Sequence, residues 1–210
     1  MADPLILAGG PCAQNPEPMA EFIPADNYYA RFRNLEKLTQ FGALIEQWGT
    51  NLMHAAEFTN REAYLRSRYE RQLCVSTERM ARTIPADLIQ ELALTGSDPY
   101  FRDGTDLSVV FRVKEVKPFL AFMEPFIREQ KDAFRSEWKE SREMYQKFEI
   151  ESFTTPLREV SLYRTTHQSV VIISNSPIGI RRILDCISNP ASSLSRSLDF
   201  QYMRTCFRAD

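Results

Sequence analysis

Glycine and histidine are scarce in this sequence, and long apolar runs are absent. Seven glycines among 210 residues leave little room for the glycine-rich loops that cradle phosphates or dinucleotides, and neither motif is present. The two histidines, His54 and His167, lack carboxylates or thiols at the short, regular spacing that metal sites and acid–base pairs need. No run approaches the roughly 18–20 apolar residues that cross a bilayer. The sequence therefore predicts no cofactor, no bound metal and no membrane span.

An excess of charge of one sign is also missing. The chain has 26 basic and 28 acidic side chains and a formal net charge of -2, whereas proteins that bind a phosphate backbone usually present an uncompensated basic face. Residues 28–33 combine aromatic and basic side chains of the kind on which RNA bases stack, but no second strand of this type accompanies them. We therefore expect no nucleic-acid partner.

The four cysteines are far apart in the sequence. None belongs to a C-x-x-C pair, which argues against a structural zinc site. We expect buried thiols that act as small apolar side chains. These cysteines are Cys12, Cys74, Cys186 and Cys206.

Residues 1–25 are rich in proline and lack periodicity, so we predict that they form a leader or linker. The apolar run at 5–7 is followed by small residues, as at the end of a secretory signal, but no basic segment precedes it. Two interpretations stay open: a disordered leader, or the remnant of a signal peptide that begins upstream. The second predicts a periplasmic or secreted protein, and a complete N-terminus predicts a cytoplasmic one.

Beyond residue 25 the chain three times follows a β-rich run with a polar corner and an amphipathic helix. These units begin at residues 27, 106 and 168 and indicate a duplicated motif. We predict a single α+β domain over residues 26–210, in a chain that is complete or part of a longer protein. Its mainly antiparallel sheet would have about five or six strands, with helices on one face and a helical insertion near residues 50–84. The predicted strands are 27–33, 88–95, 106–113, 145–154, 158–165 and 168–173.

A long helix is predicted from about residue 115 to residue 142. Pro118 lies where a first-turn proline is tolerated, and Pro125 should kink the helix because its nitrogen cannot donate to the preceding turn. The segment 128–142 mixes charges of both signs at helical spacing, which is typical of a solvated helix face.

The most site-like stretch is Ser174, Asn175 and Ser176, between a buried strand and a helix that starts with Pro177. The amide groups at the start of a helix attract anions, so these three residues are a candidate binding corner for an anion or another ligand. The alternative is that Asn175 or Ser176 simply caps the helix. A hydrolase nucleophile would favour G-x-S-x-G, and no glycine precedes either serine.

A second polar cluster lies on the predicted hairpin loop, where Asp98, Asp103 and Asp106 could gather. The spacing around Gly104 places a proline and a phenylalanine where a calcium-binding loop needs oxygen ligands, which excludes an EF-hand. We predict a solvated loop there, with irregular calcium binding as the alternative.

Several segments together resemble a family of large, uncharacterised bacterial proteins believed to be exported, in which a unit of Pro-x-Asp, strand and helix recurs. The resemblance extends over residues 21–210 and implies an exported protein longer than this chain. The family offers no catalytic residues to transfer. The segments that carry it are 22–26, 28–32, 92–98, 159–162, 171–177 and 197–200.

Taken together, these features predict a non-enzymatic structural or interaction module of an exported or envelope-associated protein. Its partner would be another protein or the remaining segments of a longer chain. The alternative is a hydrolase whose site lies at the corner of Ser174–Pro177, with His167 nearby.

Overall fold

A computed structural model of the protein describes residues 17–41, 62–98 and 105–206. It has α-helices and one antiparallel sheet, so the predicted α+β class is confirmed. The strands are β1 (Tyr28–Phe32), β2 (Ile89–Gly96), β3 (Ser108–Val113), β4 (Lys139–Tyr145), β5 (Phe148–Thr154), β6 (Ser161–His167) and β7 (Val170–Ser174). The helices are α1 (35–41), α2 (Glu62–Gln72), α3 (Thr77–Thr83), α4 (Val116–Phe134), α5 (Pro177–Ser188) and α6 (Leu198–Cys206).

The sheet has the strand order β1-β2-β3-β7-β6-β5-β4, and all neighbouring strands are antiparallel. Two meanders, β1–β3 and β4–β7, therefore meet at the central pair β3–β7. All five residues of β7 are buried, as expected for a continuous apolar run in the middle of a sheet. The predicted hairpin of β2 and β3 is confirmed.

Helices cover both faces of the sheet, so the prediction of helices on one face is wrong. Val171 and Ile173 of β7 belong to a core cluster that includes the apolar side of α4. Val170 and Ile172 point to the other face and join a second cluster with residues of α5. Because side chains alternate along a strand, an uninterrupted apolar strand needs an apolar cover on each side.

The number of strands was also underestimated, since the sheet has seven. The strand that was missed is β4, whose first four residues, 139–142, were assigned to the predicted helix 115–142. Helix α4 begins close to the predicted residue, continues through Pro125 and ends at Phe134, where Arg135 takes a φ of 41°. The side chains of β4 are exposed on both faces of this edge strand apart from half-buried Tyr145. It therefore lacks the apolar alternation by which a strand is recognised.

The last residues of the predicted leader are part of the domain. Pro18–Phe22 form a 3-10 turn, and Met19, Ala20 and Ile23 have no exposed surface. They fill the second core cluster beside α5, so the predicted boundary at residue 25 is wrong for 17–25. Residues 1–16 lie outside the described chain. So do residues 50–61 of the predicted helical insertion, whose later part is α2 and α3.

Candidate functional site

The predicted binding corner lies where β7 ends and α5 begins. Ser174 is fully buried, and its Oγ accepts hydrogen bonds from Ser108 Oγ at 2.8 Å and from Ser176 N at 3.1 Å. Ser176 Oγ accepts from Gly179 N at 3.2 Å and thereby caps α5, with Pro177 as the first helical residue. The capping role proposed as the alternative for Ser176 is thus present in the structure.

The Asn175 side chain connects three separate parts of the chain. Only 3% of the residue is exposed. Its Oδ1 accepts from Leu107 N at 2.7 Å, just before β3. Its Nδ2 donates to Gln72 Oε1 of α2 at 3.0 Å and to Thr105 O at 3.1 Å. The amide is therefore satisfied by the protein itself and holds α2 against the central strands.

The positive end of α5 already has a carboxylate beside it. A Cβ added at Gly179, in the first turn, would lie 3.2 Å from Asp106 Oδ2. The other oxygen of Asp106 accepts from Ser97 N at 2.9 Å and from Ser97 Oγ at 2.6 Å. A carboxylate near a helix N-terminus is electrostatically favourable. An external anion at this helix end would have to approach Asp106.

An open cleft of about 560 Å³ lies next to this corner. Asn175 and Ser176 line one side, α2 contributes Arg68 and Arg71, and the β5–β6 turn contributes Leu157 and Arg158. We call this feature the arginine cleft. The three arginines were not singled out in the sequence, although the spacing of Arg68 and Arg71 places them on one face of a helix.

Arg158 is held in the wall of the arginine cleft by its backbone and its guanidinium. Its φ is 60°, in the left-handed region that non-glycine residues adopt uncommonly. Its N–H donates to Thr155 O at 3.0 Å. One guanidinium nitrogen donates to Asn175 O at 3.1 Å, and Ser161 Oγ donates to the same oxygen at 2.9 Å. The buried corner therefore positions a charged group in the cleft.

The charges of the cleft are only partly compensated. Within the described ranges, no carboxylate oxygen lies within 4.0 Å of the guanidinium of Arg68 or Arg71. Glu159 lines the cleft and accepts from Thr155 Oγ1 at 2.7 Å. That hydrogen bond, with a backbone hydrogen bond and the charge of Arg71, lowers the pKa of the Glu159 carboxyl, which stays ionised at neutral pH.

His167 does not lie near the corner, contrary to the suggestion made for a hydrolase. In the β6–β7 hairpin, Ser174 pairs with Tyr163, whereas His167 pairs with Val170. Val170 and Ser174 are four residues apart along the extended strand β7, which separates the two ends of this hairpin by about 13 Å. Burial, and to a smaller extent the charge of Lys147, lower the pKa of the His167 imidazole.

The acidic loop is described only in part, because Asp103 lies outside the described residues. Thr105 Oγ1 donates to Asp98 O at 2.5 Å and to Asp106 Oδ1 at 3.3 Å. Over the described ranges, no three His, Cys, Asp or Glu side chains are grouped so that they could hold a metal ion. Among the same residues, no helix has the length and apolar character required to cross a bilayer.

Cys74 and Cys186 are buried free thiols, and their chemistry can be tested directly. Burial raises the pKa of Cys74 to about 12 and raises that of Cys186 as well. Because only the thiolate reacts rapidly, we expect slow alkylation of both by iodoacetamide in folded protein at about pH 8. Complete alkylation should follow unfolding. Peptide mass mapping measures each site separately, and rapid labelling of Cys74 in folded protein would contradict its burial.

Comparison with protein-family models, curated proteins and solved structures gives no match to this chain. The resemblance to exported bacterial proteins therefore stays a prediction.

Proposed function

We propose that this protein is a non-enzymatic interaction module of an exported or envelope-associated protein, and that it binds a protein partner in the arginine cleft. The observation that carries the proposal is the convergence of Arg68, Arg71 and Arg158, from two separate elements, around one open cleft. Arg68 and Arg71 are exposed, so a partner can reach both side chains.

The hydrogen bonds of the predicted corner support a binding role. The side-chain amide of Asn175 forms its hydrogen bonds with other protein groups, and Ser176 Oγ accepts a hydrogen bond from the helix that it caps. In this proposal the corner is a rigid wall that positions Arg158, and the ligand contacts lie on the arginines. A site on a rigid frame loses little conformational freedom when it binds.

Site-specific photo-crosslinking in the source cells tests the proposal. A crosslinking residue replaces Leu157, which is 80% exposed and lies at the cleft, or Met144, which is 67% exposed on the edge strand β4. We expect a protein adduct at position 157 in the envelope or exported fraction, lost when Arg68 and Arg71 are replaced by alanine, and no such adduct at position 144.

Three results would contradict the proposal. The first is the absence of an adduct at position 157, and the second is an adduct that is indifferent to the two arginines. The third is labelling of Ser174 or Ser176 by a serine-reactive phosphonate in folded protein, which would favour the hydrolase alternative.

A further inference from the structure

We infer that the arginine cleft recognises an acidic segment of the partner polypeptide, in which carboxylates bind the arginines and an apolar residue packs on Leu157. This inference rests on the proposed function and adds the chemical class of the ligand. It follows from three properties of the cleft: its available guanidinium groups, its committed carboxylates and its exposed apolar side chain.

The guanidinium groups that a ligand can reach are on helix α2. Arg68 and Arg71 are three residues apart, so their side chains lie on the same face of the helix. Both are exposed, and neither is paired with a carboxylate in the part of the chain that the structure describes, as noted above. A guanidinium presents several donors in a planar fork that matches the two oxygens of a carboxylate. Two such groups on adjacent turns can bind two carboxylates of one segment.

The carboxylates of the cleft are already engaged. Asp106 accepts hydrogen bonds from Ser97, and Glu159 accepts one from Thr155. The three arginines and these two carboxylates leave one net positive charge among the charged lining residues. The electrostatic complement of the cleft is therefore an anionic ligand.

The exposure of Leu157 favours a peptide over a small anion as the ligand of the cleft. It is 80% exposed and precedes Arg158, whose guanidinium is anchored to Asn175 O. A free phosphate or carboxylate ion would use only the charges and would leave this apolar side chain in water. A segment that alternates acidic and apolar residues would contact the arginines and also bury Leu157, which adds an apolar contribution. Such a segment matches both the exposed arginines and the exposed leucine of the cleft.

Fluorescence anisotropy with the full 210-residue chain tests the inference. The probes are a labelled peptide of alternating Glu and Leu, the same peptide with Gln in place of Glu, and one with Lys in place of Glu. We expect binding of the Glu–Leu peptide alone. The double variant Arg68→Ala, Arg71→Ala should bind it at least about tenfold more weakly, and Leu157→Ser should weaken it to a smaller extent.

The matched control removes two exposed arginines elsewhere, in α3 and α4, by Arg82→Ala and Arg128→Ala. It lowers the net charge equally and should leave the affinity unchanged. Equal losses in both double variants would overturn the inference, because the attraction would then be non-specific. Competition by inorganic phosphate together with an unchanged affinity of Leu157→Ser would overturn it too, in favour of a small oxyanion.

Failure of the inference and failure of the proposed function give different results. If the crosslinked adduct at position 157 depends on Arg68 and Arg71 but no acidic peptide binds, the cleft is an interaction site with another ligand chemistry. If neither adduct nor peptide is found, both are wrong.

Discussion

Replacing Asn175 with alanine is expected to lower the free energy of unfolding by about 2–4 kcal/mol. The substitution removes the hydrogen-bond partner of three buried or half-buried groups: Leu107 N, Gln72 Oε1 and Thr105 O. Each loses a hydrogen-bond partner in a site that is at least half-buried, and an unsatisfied group there costs more than the net value of the hydrogen bond that it made. The variant should also loosen the contact of α2 with the central strands, and with it the position of Arg68 and Arg71.

Urea unfolding followed by circular dichroism measures this effect. Asn175→Asp preserves the shape and the acceptor for Leu107 N but replaces two donors by an acceptor that faces Gln72 Oε1 and Thr105 O, so it should destabilise the protein too. The control is Asn189→Ala, since Asn189 is exposed after α5. Surface changes of this kind usually have small effects. An Asn175→Ala variant as stable as this control would mean that the amide does not hold the three segments together.

The elements that were predicted correctly are those whose burial leaves a pattern in the sequence. Strand β7 is an apolar run because both of its faces are covered. Ser176 and Pro177 predict the start of α5. The cap side chain accepts a hydrogen bond from a free amide group of the first turn, and proline has no N–H at a position where it would lack a partner. In each case local chemistry and tertiary environment require the same residues, so the sequence is sufficient.

The elements that were missed depend on partners that are distant in the chain. Strand β4 is a charged edge strand, and charges at the edge of a sheet discourage unwanted pairing. It is held by the backbone ladder to β5 and by cross-strand ion pairs, such as Arg142 with Glu151 at 2.8 Å. Charged residues of both signs also suit a helix surface, so the segment carries no local signal for a strand.

The arginine cleft could not be predicted for a related reason. Arg68 and Arg71 alone are typical of a solvated helix face, and Arg158 looks like an ordinary turn residue. They line one cleft only because Asn175 holds α2 and the β5–β6 turn at the same end of β7. Asn175 and Ser176 of the predicted corner line the cleft, but the exposed charges near them come from segments about 17 to over 100 residues away.

Replacing Glu91 with alanine is expected to destabilise the fold by about 2–4 kcal/mol. This is somewhat less than the roughly 3–5 kcal/mol lost when a fully buried ion pair is broken, because its arginine partners retain some exposure. Glu91 is 7% exposed on β2. Its carboxylate lies 2.8 Å from Arg31 of the edge strand β1 and 3.2 Å from Arg112 of β3. The substitution leaves two half-buried arginine side chains without this counter-charge. Among the residues that the structure describes, Arg31 would keep Glu17 as its one carboxylate partner, at 3.4 Å.

Chemical denaturation of Glu91→Ala beside Glu78→Ala separates a buried glutamate from an exposed one. Glu78 pairs with Arg82 on the surface of α3, and exposed pairs contribute little because water and salt screen them. The Glu91 variant should unfold at a clearly lower denaturant concentration, whereas the Glu78 variant should stay close to the parent protein. Glu91→Gln should fall between them, because it retains hydrogen-bonding capacity without the charge. If both alanine variants were equally stable, the backbone ladder between β1 and β2 would suffice to hold the edge strand, and the ion pairs would add nothing.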